Sequence, residues 1–170
     1  METENLIIRS FATEDLQDFI ALIRDKMQSP YAVYDEQFPI DDASLKGLLS
    51  YFAASDEFFA VWLKAEARVI GFASLNRVDD TSRNLGYCIH TDYQGKGYAA
   101  EAVMEMKRYA KETLKLSRLI SGTAEENEPS FRLLTRAGFC ITGKSQGSFA
   151  KDENGNPIIF TGCLFECELV

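Results

Sequence analysis

The run Tyr93-Gln94-Gly95-Lys96-Gly97-Tyr98-Ala99-Ala100-Glu101-Ala102 joins a strand-like segment, Asn84 to His90, to the most regular helical pattern in the chain. Gly95 and Gly97 let the backbone turn tightly and bring its N–H groups close to a ligand. A helix starting here adds unpaired N–H groups and the positive end of its dipole, which together suit a pyrophosphate. Ala99 and Ala100 keep the first helical turn open. A turn that merely packs the helix on a sheet uses the same glycines, so the spacing leaves both readings standing. Two phosphate signatures are excluded: GxxxxGK[ST] is absent, and GxGxxG fails because Ala100 replaces the third glycine and no early βαβ unit surrounds it.

Beyond the turn, Val103, Met106, Ala110 and Leu114 recur at helical spacing while Glu101, Glu105, Lys107, Lys111 and Glu112 face elsewhere. A strand from Arg118 to Thr123 follows, then a helix starting near Pro129, whose missing N–H costs nothing in a first turn. Two last strands flank Asp152-Glu153-Asn154-Gly155-Asn156, whose Asn-Gly pair signals a hairpin turn. Toward the N-terminus, Phe58 to Lys64, Val69 to Arg77 and Asn84 to His90 read as strands joined by connectors short enough for antiparallel hairpins. Leu45, Leu48, Leu49 and Phe52 mark a helix from Asp42 to Ala54. The loop before it carries Pro30, Tyr31, Tyr34, Phe38 and Pro39, and its aromatic residues either floor a substrate pocket or pack the loop. Leu16, Phe19, Ile20, Ile23 and Met27 form an amphipathic helix for which Thr13 offers an N-cap, and Leu6 to Phe11 opens the chain as a strand. The order β-α-α-β-β-β-α-β-α-β-β predicts a mixed α/β sheet in one domain, residues 1–170, with no repeat or linker to divide it.

Hydrophobic residues make up 46% and charged residues 26%, the balance of a soluble globular protein. Apolar runs such as Phe58 to Leu63 are far shorter than the ~20 residues of a membrane span, and no secretory signal is read, so a cytoplasmic protein without membrane contact is expected. The net charge of −8 argues against a nucleic-acid partner while leaving room for a local basic pocket. Cys88, Cys140, Cys163 and Cys167 form no CxxC pair and all fall in strands, so they read as reduced structural thiols. With His90 the single histidine, no metal site is expected. Trp62, in an apolar strand, reads as core; Glu125-Glu126 and Asp79-Asp80 read as solvated loop charges.

Gln94-Gly95-Lys96-Gly97-Tyr98-Ala99 resembles the signature [Q/R]-x-x-G-x-[G/A] of the GNAT superfamily of N-acetyltransferases, with Gln94, Gly97 and Ala99 at the defining positions. Downstream, Asn127-Glu128-Pro129-Ser130 followed by Leu134, Arg136, Gly138 and Phe139 is similar to the family's N-x-x-S…K-x-G-F segment. Leu85-Gly86-Tyr87-Cys88-Ile89-His90 looks like its fourth strand. The resemblance covers nearly the whole chain and is closest to the RimJ/RimL-like branch, which acetylates protein N-termini and small amines. It implies a GNAT-type fold: a largely antiparallel central sheet flanked by helices, with strands 4 and 5 splayed and the pantetheine arm of acetyl-CoA in the gap.

By that resemblance Cys88, Ile89 and His90 contact the pantetheine through main-chain groups, with an N–H near Ile89 as the oxyanion donor, and Gln94, Gly95, Lys96, Gly97, Tyr98 and Ala99 bind the pyrophosphate, mostly through N–H groups. Lys96 adds a charge contact or is solvated. Asn127 hydrogen-bonds the cofactor's arm, caps the following helix, or does both. The implied chemistry is direct attack of a primary amine on the thioester, with acetyl-CoA as co-substrate and no metal. Two positions depart from common family patterns. Leu134 stands where many members carry a thiol-directed tyrosine, and Asn84 where many carry a carboxylate. Ser130, the serine of N-x-x-S, is the expected hydroxyl near the sulfur, with a first-turn helix role as the alternative, and no general base is named. A catalytically weak acyl-CoA sensor or scaffold is the competing function. Edge pairing of the last hairpin offers a route to a homodimer.

Overall fold

The structure, a computed structural model, describes residues 1–169. Its elements are β1 (Leu6–Arg9), α1 (Leu16–Gln28), α2 (Asp42–Ala54), β2 (Phe58–Leu63), β3 (Arg68–Arg77), β4 (Ser82–Ile89), α3 (Tyr98–Glu112), β5 (Arg118–Ala124), α4 (Glu128–Arg136), β6 (Cys140–Gly147) and β7 (Phe160–Glu168). That is the order predicted from the sequence. The strands form one sheet ordered β1-β2-β3-β4-β5-β7-β6, antiparallel at every junction except β4–β5. A parallel pair needs a crossover connection, and α3 supplies it.

The β4–β5 pairing is brief. Ser82, Arg83 and Asn84 face Arg118, Leu119 and Ile120, and beyond them the strands part. Ser121 marks the parting: its hydroxyl donates to the Leu85 carbonyl at 2.8 Å, standing in for a ladder bond. The mostly antiparallel sheet with splayed strands 4 and 5 is thus the architecture that the resemblance implied.

Helices cover both faces. On one, α3 and α4 pack Val103, Met106, Ala110 and Leu134 against Ile8, Val61, Leu75, Leu85 and Ile89. On the other, α1 and α2 bury Phe19, Ile23, Leu45 and Phe52 against Ala60, Val69 and Phe72. Local chemistry sets the helix starts. Asp41 caps α2 by accepting the Ser44 N–H at 2.9 Å, and Asn127 caps α4 through Ser130 N–H at 3.3 Å.

Two expectations need correction. Thr13 does not cap α1; it lies in a short 3-10 turn, Thr13–Asp15, ahead of the helix. The polar work there falls to Asp15, which accepts both Arg9 guanidinium nitrogens at 2.7 and 2.8 Å and the Ala12 N–H at 2.8 Å. Trp62 is half-buried at the margin of the α1/α2 core, at a register shift between β2 and β3. The Asn154-Gly155 turn does form, with Gly155 at φ +83° and Asp152 N–H bonded to Asn156 O, but it tips a broad connection, residues 148–159. Phe149 of that connection stacks on Phe160 at the start of β7 at 5.8 Å, and Phe160 meets Tyr34 of the α1–α2 loop edge-on at 5.6 Å.

Candidate active site

A cavity of about 770 Å3 runs from the glycine turn, past the parted strands, to α4 and the end of α1. At its turn end Gly95 and Gly97 hold φ +73° and +89°, and Gly97 is the residue from which α3 starts. A Cβ on either glycine would meet no atom within 4 Å, so the surface there is open rather than packed. The N–H groups of Gly95 through Ala100 find no acceptor among the described residues. They converge with the α3 dipole on the cavity, which is the arrangement that holds a phosphate group. Gly95, Gly97, Tyr98 and Ala99 line it, as do the cationic Arg132 and Arg136 of α4.

Two predicted phosphate contacts lie differently. Gln94 spends its N–H on Thr91 O, and its side-chain amide donates to Ile89 O at 2.8 Å. It braces the turn against the end of β4 rather than offering a free main-chain donor. Lys96 is not among the cavity-lining residues; its ammonium donates to Asp92 O at 2.9 Å and sits over the Tyr93 ring.

Strand alternation sorts the pantetheine candidates. His90 N–H bonds Ile70 O of β3, so by the two-residue repeat Cys88 also directs its main chain to β3, opposite Phe72. Ile89 and Tyr87 direct theirs to the side that β5 has vacated. Of Cys88, Ile89 and His90, only Ile89 presents an N–H to the gap. Cys88 is among the lining residues, but its side chain packs toward the α1/α2 core, where burial pushes the thiol up to about 12. The His90 ring accepts Asp92 N–H and lies between Asp25 and Asp92, outside the cavity lining.

At the α4 end, Ser130 Oγ and Tyr87 Oη are 2.8 Å apart. Asn127 and Ser130 both line the cavity. Asn127 uses its carbonyl oxygen as the helix cap, which leaves its amide nitrogen without a partner among the described residues. Burial pushes the Tyr87 phenol up to about 12, with the Ser130 hydrogen bond pulling the other way, so it is a neutral O–H donor. Leu134 is fully buried in the core, so the position where many relatives place a tyrosine has no access to the cavity.

Tyr87 is the site residue that sequence reasoning passed over. The signal was present: in an alternating strand it shares the face of Leu85 and Ile89, toward α4. Lys26, on the apolar stripe of α1, was also missed. It is buried, donates to Asp35 Oδ2 at 2.6 Å, and lies over the Phe38 ring. Nothing in helical periodicity marks a lysine as buried. The loop aromatics divide: Tyr31 lines the cavity, Tyr34 packs on Phe160, and Phe38 lines a second, smaller cavity across β4.

Among the described residues no cluster of His, Cys, Asp and Glu could hold a metal ion, and no helix is long and apolar enough to cross a membrane.

Comparison with known proteins gives these features a setting. Residues 5–140 match the family model described as an acetyltransferase (GNAT) domain. The chain is 31% identical over 102 residues to the uncharacterized N-acetyltransferase p20 of Bacillus licheniformis, covering 59% of this chain and 53% of that protein, about half its length. It is 29% identical over 162 residues to the [ribosomal protein uS5]-alanine N-acetyltransferase of Escherichia coli, covering 89% of this chain and 81% of that protein. In fold it is similar to a GNAT-family acetyltransferase from Bacillus anthracis, with a TM-score of 0.84, 21% identity, and coverage of 99% and 98% of the two chains.

Proposed function

Because the chain belongs to the GNAT acetyltransferase family, we propose that it transfers an acetyl group from acetyl-CoA to a primary amine, a protein N-terminus or a small amine, in the manner of the RimJ/RimL-like branch. One observation carries this: a single cavity joins the unpaired N–H groups at the start of α3 to the Tyr87–Ser130 pair through the β4–β5 gap. The 29% identity over 89% of this chain to the uS5-alanine N-acetyltransferase of Escherichia coli supports the branch.

In this mechanism Gly95 to Ala99 hold the pyrophosphate, with Arg132 and Arg136 adding positive charge. The amine nitrogen forms a bond to the thioester carbon, and the oxyanion that develops is met by the Ile89 N–H. Such a donor is worth about 3 kcal/mol of transition-state stabilisation. The C–S bond then breaks. The departing thiolate accepts a hydrogen bond from Ser130, which Tyr87 orients by donating to its oxygen. The proton lost by the amine and the one gained by the thiol balance through solvent. We place the enzyme in the cytoplasm, supported by four free cysteines, and treat residues 1–170 as one catalytic domain.

A binding-only role as an acyl-CoA sensor draws on the buried Leu134 and on Asn84 at the carboxylate position. Calorimetric titration with acetyl-CoA, with Gly97→Glu as the blocked control, followed by thiol release over an amine panel, separates the two. Saturable binding lost in the variant, with turnover of an amine, is the expected result. Binding without turnover on any amine selects the sensor, and no binding to the wild type removes both.

A further inference from the structure

A second cavity, of about 390 Å3, lies on the α1/α2 side of β4, and the acetyl-CoA site described above does not use its interior. It shares Lys26, Asp35 and Tyr87 with the first cavity, so the two meet beside the middle of β4. Part of its lining is aromatic, from Phe38, Tyr51, Phe58 and Phe72. Another part is polar without charge. Ser74 and Asn76 of β3 stand opposite Gly86 and Asn84 of β4, so their side chains share one face of the sheet. Gly86 is needed there, because a Cβ would come within 2.7 Å of Ser74 Oγ. Ser74 donates to Asn76, whose amide donates to Glu57, while the Asn84 amide has no partner among the described residues. The charged lining residues are Lys26, Asp35 and Glu36. Lys26 and Asp35 neutralise each other in their 2.6 Å ion pair, which leaves the Glu36 carboxylate of the lining, and the Glu57 carboxylate behind Asn76, in excess.

We propose that the acceptor taken up in this second cavity is preferentially an amine whose ammonium lies next to an aromatic or branched apolar group; this rests on the acetyl-transfer reading above. The shared residues bring the cavity to the thioester position from the side opposite α3 and α4. The Glu36 carboxylate offers the ammonium an opposite charge. The aromatic lining favours a benzyl-sized group over a methyl by about 10- to 100-fold in affinity. Two sources present the favoured chemistry, a free arylalkylamine and a peptide whose first residue is large and apolar.

The test titrates protein saturated with CoA, which cannot react, with phenethylamine, ethylamine, and tetrapeptides beginning with Phe or Ala. Thiol release from acetyl-CoA is measured for the same set. Phenethylamine or the Phe peptide should bind at least tenfold tighter than ethylamine or the Ala peptide, and which of the two binds tighter identifies the source. Tyr51→Ala and Glu36→Gln, both changes of exposed side chains, should each weaken that binding about three- to tenfold while acetyl-CoA affinity is unchanged. Equal or tighter binding of ethylamine, or indifference to both substitutions, overturns the proposal. Turnover without aromatic preference sinks the proposed preference and leaves the transferase standing. Aromatic binding with no turnover of any amine sinks the transferase reading and the acceptor role that rests on it, and leaves only an amine-binding cavity.

Discussion

Ser130 and Tyr87 form a hydrogen-bonded hydroxyl pair lining the cavity, and a double-mutant cycle tests the proposal that it meets the departing thiolate. The two oxygens are 2.8 Å apart, and Tyr87 has otherwise only a 3.4 Å contact with Ser130 O. Ser130→Ala removes a donor to an anionic sulfur. Hydrogen bonds to charged groups are worth about 1.5–3 kcal/mol, so kcat should fall roughly 10- to 150-fold. The same change strips a half-buried phenol of its good partner and should cost about 1–2 kcal/mol of stability. Tyr87→Phe leaves Ser130 in place but frees its hydroxyl rotor. Three staggered settings in place of one cost about threefold, and loss of polarisation raises that to roughly three- to tenfold in kcat. Because Tyr87 acts through Ser130, the double variant should be no slower than Ser130→Ala alone. Single-turnover thiol release measures the rates, and calorimetry should find acetyl-CoA affinity within about threefold throughout. The phenol is held up near 12, so it keeps its proton below the ordinary tyrosine range. The ratio of wild-type to Tyr87→Phe rates should therefore stay flat from about pH 6 to pH 10. A Ser130→Ala enzyme within threefold of wild type, or penalties that multiply in the double variant, would refute the relay.

Two further predictions concern the scaffold. Burial alone would raise the Asp15 carboxyl, but the Arg9 guanidinium and the Ala12 N–H outweigh it and hold the group below its ordinary value. Its stabilisation is therefore present above about pH 4 and is lost as pH falls through the depressed native value. Asp15→Asn should cost about 2 kcal/mol at pH 7 by thermal melting, and its deficit should shrink as the pH is lowered below about 4; a deficit that does not change with pH would assign the effect to packing. Burial raises the thiols of Cys88 and Cys163, whereas Cys140 is exposed. Iodoacetamide at pH 8 should label Cys140 at least tenfold faster than Cys88, as read by peptide mass spectrometry, and rapid labelling of Cys88 would mean that β4 opens on the labelling timescale.

The order of elements was legible because each announces itself locally: the stripe from Leu16 to Met27, the three strands ending at His90, the Asn127 cap. Ser130 and the glycine turn were legible for the same reason, since a phosphate site at a helix start is built from adjacent residues. What escaped was non-local. No pattern around Thr13 tells that Asp15 will be drawn to Arg9 and take over the local polar contacts. Nor does the sequence around Lys26 announce that it is buried, because its partner Asp35 lies beyond the helix on a loop. Tyr87 sits between these cases. Its face follows from alternation, but its meeting with Ser130 depends on β4 and β5 parting after Asn84.

That parting also explains why cofactor turn and hydroxyl pair occupy one cavity. β4 and β5 are the parallel neighbours, so the chain must leave the C-terminal end of β4, cross over, and re-enter beside it. The crossover helix α3 therefore begins just past that end, with its unpaired N–H groups at the mouth of the gap. α4 follows β5 and begins at its C-terminal end, which is the other lip of the same gap. Two helix starts thus flank one opening at the carboxyl ends of parallel strands, the usual place for a ligand in such sheets. In the proposed binding mode one start offers main-chain donors to a pyrophosphate, and the other offers Asn127 and Ser130, which line the same cavity, to the far end of the same molecule. The geometry requires the strands to stay apart. Were β4 and β5 zipped through Ile89, the Ile89 N–H would be spent on β5 and Tyr87 could no longer reach α4. Ser121, by occupying the Leu85 carbonyl, closes the last rung that pairing could use before the gap.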